Sequence, residues 1–387
     1  MAFAKPHAMM VDETHDEHAR MGFVSSYKSY LTNDVSGGSR LVYDALVRPV
    51  ARRQRGGEPD RHEIRRLMAD QPFFQMVSSL RRTSQEMIWD STGECVERQI
   101  GDLITRARTI EARPAKGSLR LDPVLKAPRY LTAVDIHCMP GNYHSEIAAD
   151  DVFAGALYDR GVHLYRMKQR TTLNDGNGRF LAGFVKERFP ALKPERVLDM
   201  GCGIGNATLA YAEAWPAARI DAIDVGAAML RYGHARAEAI GRAVHFSQQN
   251  AEHTDLPGGQ YDLVVSFLLM HETSHRAIHN IFRESHRLLA PGGVMIHVDS
   301  RQYEHLSPWD QFEPDWDTHY NHEPFMGTLH DMDLVAAAAD AGFARADIFE
   351  EHPRHPGMAP VIVGRYHSND GNVNGDLLAF TAVRRRR

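Results

Sequence analysis

The segment Val197–Gly205, VLDMGCGIG, places a carboxylate, Asp199, two residues before three glycines at alternate positions, Gly201, Gly203 and Gly205. Lying between an apolar run and the helix-like NATLAYAEA, these glycines bare the backbone at a helix start, where a ligand can approach closely. A dinucleotide would require glycine or alanine at the position occupied here by Asn206. Asp199 would also repel a diphosphate. The turn therefore suits a ligand carrying positive charge.

A second acid follows at the spacing expected of a nucleoside site. Asp224 ends the run RIDAID, 19 positions beyond Gly205, close to the general spacing of about 20 residues between a glycine turn and a ribose-binding acid. Asp221 in the same run reads as merely exposed. Taken together, residues 196–300 resemble the class I S-adenosylmethionine-dependent methyltransferases, whose hhDhGxGxG motif VLDMGCGIG matches and whose further segments recur in order. The resemblance implies that Asp199, Gly201 and Gly203 line the methionine side of S-adenosyl-L-methionine and that Gly205 permits the turn into the helix. It implies that Asp224 binds the ribose, with Val225 and Met229 flanking the adenine. In SQQNAEHTDLP the family's usual acid is replaced by Asn250, whose side-chain carbonyl still accepts a hydrogen bond, and Ala251 contributes its backbone. Phe267 and Leu268 close the fourth segment, YDLVVSFLLMH. Pro291, Gly292 and Gly293 turn the chain before the fifth and serve the fold.

Methyl transfer from a sulfonium is an in-line displacement, so alignment supplies much of the rate. A base is needed only where the acceptor atom carries a proton, and His271, followed by Glu272, stands just after the fourth strand, where doubly wound sheets hold their ligands. Tyr143 in MPGNYH is the third catalytic candidate, as a cover for the cofactor or an acceptor contact; its alternative is a buried tyrosine after a Pro-Gly turn. A divalent metal is the disfavoured alternative; it would draw on His271 and Glu272 with His319 and His322, or with His137, Cys138 and His144. None of these segments has strong ligand spacing by itself, and no metal residue is assigned. Trp309, Phe312, Trp316 and Tyr320 either wall the acceptor pocket or pack against the helical region.

The elements that must position these residues follow from periodicity. Short apolar runs alternating with helical spacers from residue 196 onward indicate an α/β, doubly wound, Rossmann-like seven-stranded sheet. RADIFEE and LLAFTAV are the candidates to close it. Apolar residues three or four apart between Glu63 and Arg108 indicate helices, with Pro72 starting or interrupting one and Thr83 or Ser84 capping another. Residues 113–130 read as a connector. The expected division is a mainly helical region 1–130, whose first 35 or so residues show no core and are loosely docked or disordered; a linker and cofactor-covering lid 131–195; and the cofactor-binding domain 196–387, with a substrate insert at about 301–327.

Composition narrows the partners. The chain has 387 residues, with 45 basic against 50 acidic side chains and a net charge of -5. That balance gives no general attraction to nucleic acid, and the final RRRR reads as a solvated tail. Three cysteines without a CxxC suit a reducing, cytoplasmic setting. No signal-like or membrane-spanning run is present in the sequence. The 22 histidines are roughly twice the number an average composition would give. The leading expectation is a cytoplasmic methyltransferase acting on a small-molecule acceptor, with a homodimer allowed for. A non-catalytic cofactor-binding or assembly protein, using helices 63–108 as its partner surface, is the alternative. Nicotinamide chemistry is disfavoured by Asn206 and Asp199.

Overall fold

The computed structural model describes residues 6–165, 173–300, 302–304, 306–351 and 377–385. Strands β1 (Ser118–Arg120), β2 (Arg196–Met200), β3 (Arg219–Asp224), β4 (His245–Gln248), β5 (Tyr261–Phe267), β6 (Leu289–Ser300), β7 (Ile348–Glu351) and β8 (Leu377–Val383) form one sheet. Their order is β1-β4-β3-β2-β5-β6-β8-β7. All pairs are parallel except those of β8, which runs antiparallel to β6 and β7. Seven of the strands make the expected doubly wound sheet. The eighth, β1, falls within the expected connector 113–130 and pairs with β4 at the edge. Only three residues long, it gives little periodicity to read.

The central strands are buried on both faces, as parallel strands flanked by helices must be. Val197, Leu198, Met200, Leu263, Val264 and Val265 are all inaccessible to solvent. Chain direction across the sheet reverses between β2 and β5, and ligands in open α/β sheets bind beyond the strand ends at such a point. The residues after β2 and after β5 therefore face one crevice.

The N-terminal region departs from expectation. Helix α1 (His15–Tyr30) begins with a capping box, in which Thr14 accepts from the Glu17 amide and Glu17 accepts from the Thr14 amide. Met9, Met21 and Val24 are fully buried in a core shared with Ile88, Leu157 and Tyr232. These sparse apolar residues find their partners far along the chain, so no local pattern announces them. Helix α2 (Pro72–Glu97) starts at Pro72 and runs unbroken through Thr83 and Ser84; the latter bonds to the Arg81 carbonyl rather than capping a new helix. Helices α3 (Ile100–Glu111) and α4 (Phe153–Tyr165) pack in the same core, so the apolar face of α2 is largely used within the chain.

Asp221 is buried, not exposed: it accepts from the Tyr261 hydroxyl at 3.1 Å and from Arg219 Nε at 3.0 Å. Arg384, the first residue of the basic run, bonds through its backbone to Gly293 and through its side chain to the His286 carbonyl; Arg386 and Arg387 lie outside the described residues. Among the described residues no helix is long and apolar enough to cross a membrane.

Candidate functional site

The glycine turn leaves β2 at Met200 with Gly201, Gly203 and Gly205 all at positive φ (68°, 55° and 77°), a conformation L side chains rarely adopt. At Gly201 a Cβ would also lie 2.5 Å from Leu269 Cδ1. Asp199 is buried and accepts from the Thr208 hydroxyl at 2.6 Å. Burial pushes its pKa up to about 7, against the Thr208 bond and with the nearby Asp224 charge adding to the rise.

Asp224 ends β3 and ties two turns together. One oxygen accepts from the Gly203 amide at 2.8 Å and the other from the Gly226 amide at 2.9 Å. Met229 is buried with its methyl against Gly203, and the Val225 carbonyl accepts from Gln248 at 3.0 Å. Asn250 turns its side-chain oxygen to the Glu252 amide (2.9 Å), and Ala251 is half-buried beside it. Phe267 ends β5; Leu268 follows at φ +61°, its amide bonded to the Val298 carbonyl. All these residues lie at or just beyond the C-terminal ends of β2, β3, β4 and β5.

A polar cluster adjoins this crevice. His271 and Glu272 sit in a short helical turn, Met270–Glu272, after β5. Asp299 near the end of β6 accepts from the Met270 amide at 2.8 Å and pairs with His271 Nδ1 at 2.7 Å. Glu272 Oε1 meets His137 Nε2 at 3.0 Å, accepts from the Tyr143 hydroxyl at 3.1 Å and lies 3.5 Å from His271 Nε2. On its other side His137 Nδ1 meets Glu323 at 2.8 Å. Tyr143 links the two parts of the crevice, because its backbone carbonyl also occupies the space a side chain at Gly226 would need.

The charges are strongly coupled. Burial would lower the pKa of His137, but Glu323 and Glu272 outweigh it and hold the imidazole up at about 10. Burial likewise acts against His271, and Asp299 and Glu272 more than offset it, leaving the pKa well above the usual histidine value. For Glu272, burial would raise the pKa; His137 and His271 overcome that and hold the carboxyl well below the carboxylate range. His137 has φ +54°, and its carbonyl is clamped by Trp89 Nε1 at 2.7 Å and Gln85 Nε2 at 3.0 Å. A non-glycine residue in that region costs about 1–3 kcal/mol, so the fold over-determines its placement.

The other residues of the disfavoured metal alternative go elsewhere. His319 packs against Arg65 and Asp315, and His322 Nδ1 meets the Asp135 carbonyl at 3.1 Å, so neither joins His271. Cys138 is buried against Asn321. Trp309, Phe312 and Trp316, with Tyr320 at the margin, pack on Tyr43, Ile64, Met68 and Phe74, which makes them the joint between insert and helical region. Sequence reasoning missed Asp299 and Glu323. Asp299 lies near the end of a strand bordering the crevice and was open to the rule that found His271; Glu323 carries no local signal.

Residues 197–293 match a protein family described as Methyltransferase domain. The chain is 43% identical over 75 residues to the trans-aconitate 2-methyltransferase of Streptomyces avermitilis, which covers 19% of this chain and 28% of that protein. It is 31% identical over 105 residues to the malonyl-[acyl-carrier protein] O-methyltransferase of Geobacter sulfurreducens, covering 27% and 38%. The chain thus spans less than half the length of these relatives. A solved structure of Haemonchus contortus phosphoethanolamine N-methyltransferase 2 aligns with a TM-score of 0.39 at 19% identity, over 53% of this chain and 52% of that one.

Proposed function

Because the chain carries a class I S-adenosylmethionine-dependent methyltransferase domain, we propose that it transfers the cofactor's methyl group to a small-molecule acceptor held against Tyr143, His271 and Glu272. The methionine end of the cofactor lies by Asp199, Gly201 and Gly203, the ribose at Asp224, and the adenine among Val225, Met229, Asn250 and Ala251, with Phe267 and Leu268 lining the cofactor from the end of β5. The acceptor's lone pair forms the new bond to carbon while the sulfur keeps the electrons of the bond that breaks. The observation that carries this reading is the position of Tyr143, which abuts Gly226 of the cofactor motif with its backbone and bonds Glu272 with its hydroxyl. Such a contact would keep the donor and acceptor sides at one distance, which in-line transfer requires.

His271, oriented through Nδ1 by Asp299, is the residue in position to receive a proton at Nε2 from a hydroxyl or ammonium acceptor; because its pKa is held well above the usual histidine value, it does so only in the neutral form, so the proposed base role predicts turnover that rises toward alkaline pH. The relatives named above act on trans-aconitate and on a malonyl group. Here the carboxylates of Glu272, Glu323 and Asp299 outnumber the His137 and His271 imidazoles they pair with, so a neutral hydroxyl, an amine or a cation-bridged acid fits the cluster better than a bare carboxylate.

Calorimetry with S-adenosyl-L-methionine, followed by incubation with methyl-labelled cofactor and small-molecule extract, tests the proposal. One cofactor per chain and label in a low-molecular-weight product are expected. Binding without any transfer would return the non-catalytic assembly reading, and no binding at all would remove the cofactor assignment.

A further inference from the structure

His137, His271 and Glu323 each present one donor atom within 4.8 Å of the others. They reach this point from three segments: the short turn Ile136–Cys138, the end of β5 and the insert after β6. Glu272 lies between the two rings. Hydrogen bonding within the cluster uses only one oxygen of each glutamate. Glu272 Oε2 and Glu323 Oε2 are buried with no hydrogen-bond partner, and Glu323 is 2% exposed. A carboxylate oxygen left in that state is costly, and the cost falls away when a cation takes its lone pair.

Second-sphere geometry points the same way. Asp299 engages His271 Nδ1 at 2.7 Å, which fixes the tautomer that leaves Nε2 as the donor atom; carboxylate–histidine pairs of this kind orient metal-bound imidazoles. We propose that His137, His271 and Glu323, completed by Glu272, bind one divalent transition ion. Two imidazoles with carboxylates favour Zn2+, Mn2+, Fe2+ or Co2+ over Mg2+ or Ca2+. The ligand set keeps His271, Glu272 and His137 of the metal alternative read from the sequence and takes Glu323 in place of its His319, His322, Cys138 and His144.

The consequence for methyl transfer rests on the function proposed above; the binding site itself does not. With the ion in place, His271 Nε2 is a ligand rather than a base. Open coordination positions would hold the acceptor's oxygen or nitrogen and offset the glutamates, which admits a carboxylate-bearing acceptor.

The test is titration of the metal-stripped full chain with Co2+, read by its visible absorption and by equilibrium dialysis, with S-adenosyl-L-methionine binding measured in parallel. One Co2+ per chain is expected, with affinity at least about tenfold weaker in Glu323→Gln and in His137→Ala. His319→Ala should titrate like wild type. Cofactor affinity reports whether each variant is folded, and Glu323→Gln preserves side-chain shape. Wild type that binds no Co2+, or binds it as tightly when Glu323→Gln and His137→Ala are combined, overturns the metal site. Failure to bind S-adenosyl-L-methionine while Co2+ still binds would instead overturn the methyltransferase reading.

Discussion

The cofactor cleft and the polar cluster beside it are built on opposite plans. As proposed, the cleft takes its parts from residues 199 to 268, which offer bared backbone and two carboxylates. Asp224 shows the economy of that plan, bonding the Gly203 and Gly226 amides with its two oxygens. The cluster gathers side chains from residues 137, 143, 271, 272, 299 and 323, and every ring nitrogen in it lies within 3.5 Å of a carboxylate oxygen. One region is organised by a strand and its turn. The other is organised by charge, and it holds together only if four segments arrive in register.

Substitutions should therefore separate the two. The largest effect is expected from Asp224→Ala, which removes the proposed ribose contact and the tie between two turns: cofactor affinity should fall on the order of a thousandfold by calorimetry. An unchanged affinity would mean that the cleft does not hold the nucleoside as described. Glu272→Gln strikes the other region. Turnover should drop on the order of a hundredfold while cofactor affinity moves by less than about threefold, since the charge between His137 and His271 is lost but the cleft is intact. Equal losses in both quantities would erase the distinction between the regions.

Asp199 offers a smaller, pH-dependent comparison. Its folded-state pKa, about 7, lies above the ordinary carboxyl value of 3.8, so the empty protein binds this proton more tightly than the unfolded chain does. Its contribution to stability is therefore fully present below about pH 4 and is lost as pH rises through about 7. The difference in thermal stability between wild type and Asp199→Asn should shift against wild type over that window. Cofactor affinity should move the other way, strengthening by about tenfold in wild type as the carboxylate ionises beside a cationic ligand, and staying flat in Asp199→Asn. The smallest change is expected for Tyr143→Phe, which deletes one bond to Glu272: about fivefold in turnover, measured under saturating cofactor. A much larger loss would place Tyr143 in contact with the reacting atoms rather than at the seam between the regions.

Read along the chain, VLDMGCGIG and the acid ending RIDAID were sufficient to locate the crevice and the strands that bear it, because a parallel strand followed by a glycine turn writes its geometry into consecutive residues. The position of His271 and Glu272 directly beyond a strand was legible for the same reason. The edge strand Ser118–Arg120 was too short to show a period. The burial of Met9 and Met21 depended on Tyr232 and Leu157, far away in sequence. Asp221 looked exposed because the bonds that pay for its burial come from Tyr261 and Arg219, of which only the second is near in sequence.

The amino-acid order thus determined the α/β sheet, the glycine cradle and the pair of acids that suit a cationic nucleoside, all set by interactions spanning a few residues. Only the tertiary structure decided that His137 and Glu323 stand with His271 and Glu272, while His319 and His322 do not. The reason is physical: backbone conformation follows from neighbours in the chain, whereas a charged cluster depends on which distant side chains the packed core brings within a few ångströms of one another.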